Sequence, residues 1–178
     1  MQQLSVRSPR IQREFRRVGR IRGIDALDAH WRKIRRGPHA KWAQAWIEFS
    51  KMKLLARLGR YEEALAIGEH SLSLPQNRVL RRNTFLECMS LADELGRNGK
   101  ACNYAEQGLD LCIRGAGDVN FAVSFLQAIV RLGDATWIAN AAKRHGALVD
   151  DGELRSALAR RAELQELVEA LGLRLWHS

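Results

Sequence analysis

The chain is poor in the residues that interrupt helices, build strands or staple small folds. Its 178 residues include three prolines, at positions 9, 38 and 75, and three cysteines, Cys88, Cys102 and Cys112. So few prolines leave long segments open to helix. An odd cysteine count without a C-x-x-C pair excludes a disulfide framework and a zinc knuckle, and it fits a reducing, cytoplasmic setting. No stretch of about 18 apolar residues is present, which excludes a helical membrane span. No alternating apolar–polar run bounded by turn residues marks a strand. The first twenty residues hold six arginines and no apolar core, which excludes a secretory signal, although that composition is also like an organellar transit peptide.

Catalytic patterns are scarce as well. His30, His39, His70, His145 and His177 are scattered, with no metal-binding spacing among them. Glu69 and His70 are adjacent and point about 100° apart on a helix. Gly99-Lys100 lacks the Ser or Thr of a phosphate loop, since Ala101 follows, and Glu94 stands where that loop has its first glycine. Gly115 and Gly117 lack the third glycine and the preceding strand of a dinucleotide site. The sequence therefore points to a non-enzymatic protein with no catalytic residue, metal or cofactor.

Recurrence is what the chain does have. Leu58-Gly59 returns as Leu95-Gly96 and as Leu132-Gly133, each time after 37 residues, and a fourth pair, Leu171-Gly172, follows 39 residues later. Met52, Met89 and Leu126 keep the same step, as do Leu55, Ala92 and Ile129, and Ala64, Ala101 and Ile138. In that register Cys102 aligns with Leu65, a helix-facing core slot, so it reads as a small buried hydrophobe. Pro38 precedes Pro75 by 37 residues, and Asp25-Ala26-Leu27 echoes Glu63-Ala64-Leu65. The Leu-Gly pairs mark helix ends, because glycine supplies the left-handed residue that closes a helix. Leu58, Leu95 and Leu132 are accordingly expected in equivalent buried sites.

Three helix pairs follow from these stops: 39–58 with 60–74, 78–95 with 99–113, and 119–132 with 134–145. Upstream, residues 1–38 form a basic helix pair. Its first helix opens at Ser8-Pro9 and buries Ile11, Phe15 and Val18, and its second carries Ile24, Leu27, Trp31 and Ile34 as an apolar stripe. Downstream, residues 150–178 comprise one long helix to Leu171, suited to cap a stack, and a short tail bearing Trp176. All of this is one domain, 1–178, with the repeats over 39–146.

Residues 57–75, RLGRYEEALAIGEHSLSLP, closely resemble the joint of a tetratricopeptide (TPR) repeat. The resemblance covers about residues 40 to 146 and implies an all-α fold: a right-handed superhelical stack of antiparallel helix pairs, an α-solenoid, with a C-terminal capping helix. The unit here is 37 residues rather than the usual 34 or so, about one helical turn longer. The second copy has Asn98 where the family's aromatic falls, and the third keeps little beyond Leu-Gly and an alanine-rich helix.

A polar stripe keeps the same register. Asn120, Ser124, Gln127 and Arg131 share one face of an otherwise apolar helix. One period earlier stand Asn83, Glu87, Ser90 and Glu94, and one before that Trp46, Ser50, Lys53 and Arg57. By resemblance these twelve match the positions that line the concave groove of TPR proteins, where a peptide or partner helix binds. A solenoid helix also needs one wet face whether or not anything binds there. A binding role expects Trp46 to be partly exposed, since tryptophan is enriched in interface hot spots. Glu87 and Glu94 disfavour an acidic ligand and favour a mixed or partly basic segment, or a helix with an apolar face.

The charge of +9 is carried by the front of the chain. Residues 1 to 60 hold 16 Lys/Arg against 4 Asp/Glu, and the remainder has a net charge of −3. Arg10, Arg13, Arg17, Arg32, Arg35 and Arg36, near Trp31 and Trp42, have the composition of a nucleic-acid surface. That reading expects one contiguous exposed patch. An acidic partner protein suits the same charge, and Trp31 on its apolar stripe fits a core position. The leading function is a cytoplasmic adaptor or chaperone that binds a protein segment, and the alternative is an RNA- or DNA-associated factor using the arginine-rich front.

Overall fold

Segments of helix-forming residues bounded by Gly, Asn or Pro become helices here, and their ends show why. The computed structural model describes residues 23–37, 40–113 and 119–134, together with positions 137 and 140. They form α1 (Gly23–Ile34), α2 (Ala40–Arg57), α3 (Tyr61–Ser73), α4 (Arg78–Glu94), α5 (Asn98–Ile113) and α6 (Val119–Leu132), with no strand among the described residues. These bounds fall within a residue or two of those expected from the sequence. The expected helix before Val18, most of the 134–145 helix and the whole 150–178 segment lie outside the described residues.

Two compact units divide the chain, Met1–Gln76 and Asn77–Ser178. In the first, α2 packs against both α1 and α3. Its side toward α3 carries Ala45 and Glu48. The Ala45 carbonyl accepts from the buried Ser71 hydroxyl at 3.2 Å, and Glu48 Oε1 lies 3.7 Å from His70 Nδ1. Toward α1, Lys51 pairs with Asp28. A helix flanked on two sides cannot keep one narrow apolar stripe, and α2 buries Ala45, Ile47, Phe49, Met52 and Leu55. In the second unit α5 packs against both α4 and α6, and α4 also touches α6. Asn77 caps α4 by accepting the Leu80 N–H at 2.8 Å. From the same end, the Arg78 guanidinium reaches the Leu111 carbonyl in the last turn of α5, where a cation suits the helix dipole.

The 37-residue period is present in the backbone. Gly59 and Gly96 are left-handed, at φ 72° and 67°. Around Gly59, its N–H donates to Ala56 and the Arg60 N–H to Leu55, both at 3.0 Å. Around Gly96, its N–H donates to Asp93 and the Arg97 N–H to Ala92, both at 2.8 Å. This pair of bonds is the Schellman closure, which satisfies carbonyls a helix end otherwise leaves open. Core slots repeat too: Leu55, Ala92 and Ile129 are all buried, as are Ala64 with Ala101 and Leu65 with Cys102.

Two expectations fail. Leu58, Leu95 and Leu132 do not occupy equivalent buried sites: Leu58 is 65% exposed, and the other two are half-buried. Three residues turn a helix through about 300°, so a leucine three places after a core slot faces about 60° off the buried side. The core slot is instead the position three residues earlier. Gly133, moreover, is not left-handed, and its N–H donates to Ile129 at 2.8 Å. A Cβ there would stand 2.4 Å from the Ile129 oxygen and 2.9 Å from Trp137 Cβ, so this third glycine serves close approach rather than helix closure.

Candidate binding surface

The stripe follows from which residues of each first helix the core does not need. On α6, Ala122, Val123, Phe125, Leu126, Ala128 and Ile129 are buried. Asn120 and Arg131 are left exposed, with Ser124 and Gln127 half-buried. On α4, Asn83 and Glu87 are half-buried and Ser90 and Glu94 exposed. On α2, Trp46, Ser50 and Lys53 are half-buried and Arg57 is exposed. The four positions of α2 belong to the first unit, and the eight of α4 and α6 to the second.

Several stripe groups are occupied locally. Ser50 Oγ donates to the Trp46 carbonyl at 2.8 Å, and Ser124 Oγ donates to the Asn120 carbonyl at 2.9 Å. These are the same bond two periods apart, and such back-bonding takes a serine hydroxyl partly out of play for a ligand. The Trp46 ring meets Phe49 edge-on, with centroids 6.1 Å apart at 89°, and Lys53 Nζ lies 5.6 Å from the Phe49 centroid. That cluster offers an indole rim beside a cation, suited to an apolar or aromatic side chain.

In the second unit, two contacts that sequence reasoning missed tie α4 to α6. Arg131 pairs with Asp93, and the Arg82 guanidinium lies 3.7 Å from the centroid of Phe121. The only signal for the second contact was an arginine and an aromatic on equivalent helices, which is too common to single out. Beside Arg82, the Asn83 Oδ1 is buried and accepts no hydrogen bond. An unmet acceptor is costly, and turning the amide outward would offer it to a partner's N–H.

Of the predicted basic contacts, Arg32, Arg35 and Arg36 are exposed at the C-terminal end of α1, whereas Arg10, Arg13 and Arg17 lie outside the described residues. Trp31 is half-buried and Trp42 is exposed. Among the described residues, no group of three or more His, Cys, Asp or Glu side chains is placed to hold a metal ion. No described helix is long and apolar enough to cross a membrane. Cys88, Cys102 and Cys112 are buried and in no disulfide, and burial, followed by the Glu106 and Asp134 carboxylates, pushes the Cys102 thiol up.

Comparison with protein-family models, with curated proteins and with solved structures returns no match.

Proposed function

We propose that the chain is a TPR-like α-solenoid: a right-handed superhelical stack of antiparallel helix pairs whose first helices offer a polar stripe to a protein segment. It acts as a non-enzymatic adaptor or chaperone in the reducing setting that three cysteines outside any disulfide suit. The observation that carries this reading is the repeated helix closure. The same two hydrogen bonds recur 37 residues apart around Gly59 and Gly96, on the period that also spaces the stripe. Solenoid surfaces built in this way are extended and are commonly used to bind other chains.

Ligand chemistry follows from the side chains. In the first unit Trp46 supplies an anchor for an apolar residue; in the second, Glu87 and Glu94 favour a segment with some positive charge, and Asn83 and Gln127 supply amide groups for its backbone. The test is affinity capture with the full chain, after nuclease treatment, followed by identification of the retained protein. Replacing exposed stripe positions together (Ser90→Ala, Glu94→Ala, Arg131→Ala) is expected to leave the melting temperature near wild type and to abolish capture of that protein. Retention at wild-type affinity overturns the assignment.

A further inference from the structure

The most concentrated charge among the described residues lies where α1 ends and α2 begins, about one helical turn before the stripe's Trp46. Arg32, Lys33, Arg35 and Arg36 are all exposed at the last turn of α1, and Lys41 and Trp42 are exposed in the first turn of α2. Since α1 and α2 pack on one another through a short connection, these residues share one end of the helix pair. From Ala29 through Ile47 the chain contains no Asp or Glu. Among the described residues none of the five cations forms an ion pair, whereas Lys51, Arg60 and Arg131 are each held by a carboxylate. Five uncompensated cations repel one another and raise a local positive potential that a polyanion relieves.

Trp42 decides which polyanion. It is 44% exposed and opens α2 beside Lys41. Arginine and lysine meet phosphates regardless of sequence, while a presented indole gives a base a face on which to stack. Stacking of that kind needs a base that is not already stacked in a duplex. We propose that the α1–α2 end is a binding site for single-stranded nucleic acid, in which Arg32, Arg35, Arg36 and Lys41 pair with phosphates and Trp42 stacks on a base. The site is additional to the protein-binding stripe and shares no residue with it.

The test is a fluorescence-anisotropy titration of the full chain with a dye-labelled, mixed-sequence single strand, its duplex and poly-glutamate, over a salt series. The single strand is expected to bind more tightly than the duplex. Trp42→Ala weakens it about tenfold, and Trp42→Phe restores most of the affinity. The double variant Arg35→Ala, Arg36→Ala flattens the slope of log affinity against log salt by about 1.4, at about 0.7 for each phosphate no longer neutralised. Both arginines are exposed at a helix end, so this variant reads the slope even where Trp42→Ala is poorly folded. A wild-type slope in the arginine variant overturns the proposal. So does full affinity in a folded Trp42→Ala, or poly-glutamate binding as tight as the oligonucleotide, which makes the patch a surface for acidic proteins. The arginine variant leaves every stripe residue in place, so its salt slope is read independently of capture by the stripe.

Discussion

The ring of Phe125 lies on the backbone of Gly108, where a Cβ would stand 2.3 Å from Cζ. Both residues are buried, Phe125 fully, so α5 and α6 approach at a point that has no room for a methyl group. Gly108→Ala is therefore expected to destabilise the protein by about 1–3 kcal/mol, the usual cost of overpacking, despite alanine's better helix propensity of about 1 kcal/mol. Chemical denaturation measures the difference. A stabilised Gly108→Ala would show that Phe125 yields freely and that the approach is not tight.

The three Leu-Gly joints should separate by chemistry. At Gly59 and Gly96 a Cβ meets nothing within 4 Å, so alanine costs only what left-handed backbone costs, about 1–2 kcal/mol. Asparagine tolerates that conformation and should recover much of the stability. At Gly133 the obstacle is steric, so asparagine should fare no better than alanine. Melting temperatures of the six variants decide it, and a Gly133→Asn that matches wild type contradicts the close-approach account.

Trp46 is half-buried and touches Phe49, so its truncation must be read in two ways. As an interface anchor, Trp46→Ala costs about 2 kcal/mol or more of partner affinity. As a core residue, it costs about 3–5 kcal/mol of stability instead. Measuring affinity per folded molecule alongside the melting temperature separates the two. An affinity unchanged in the folded fraction removes Trp46 from the binding surface.

The native protein should resist thiol reagents. Cys88, Cys102 and Cys112 are all buried, and the raised Cys102 thiol stays protonated at neutral pH, which withholds the reactive thiolate. All three should react promptly in denaturant and only slowly in buffer. Fast modification of Cys102 in the folded state would mean that the packing around α5 opens readily.

Arg60 donates from Nε and Nη2 to the two carboxylate oxygens of Glu63, at 2.7 and 2.5 Å, across the joint that starts α3. The bond holds the Glu63 carboxyl below its ordinary range. A depressed carboxylate contributes stability above its unfolded value and loses it as pH falls through the folded one, so any effect appears on the acid side. Both groups are on the surface, so that effect on stability is small. An NMR titration should find the Glu63 midpoint below the ordinary glutamate range, rising in Arg60→Ala. Equal midpoints in wild type and variant exclude the bond in solution.

Local chemistry determined much of this protein by itself. Helix type and ends were legible because a stop such as Leu58-Gly59-Arg60 or Leu95-Gly96-Arg97 satisfies its own carbonyls within about six residues, whatever packs nearby. The core slots Leu55, Ala92 and Ile129 were legible because apolar residues at helical spacing on a fixed period need a common buried side. The stripe positions were legible as the complement of those slots. Tertiary structure alone decided what depends on a second helix. Leu58 is left bare at the end of α2, and Gly133 yields to Trp137 rather than closing a helix. Arg82 finds Phe121, Arg78 finds the end of α5, and Gly108 admits Phe125. Each of these meets a side chain or carbonyl brought near by helix packing rather than by spacing along one helix. A period in one sequence records that helices repeat, while the contacts across them depend on which side chains the packing sets face to face.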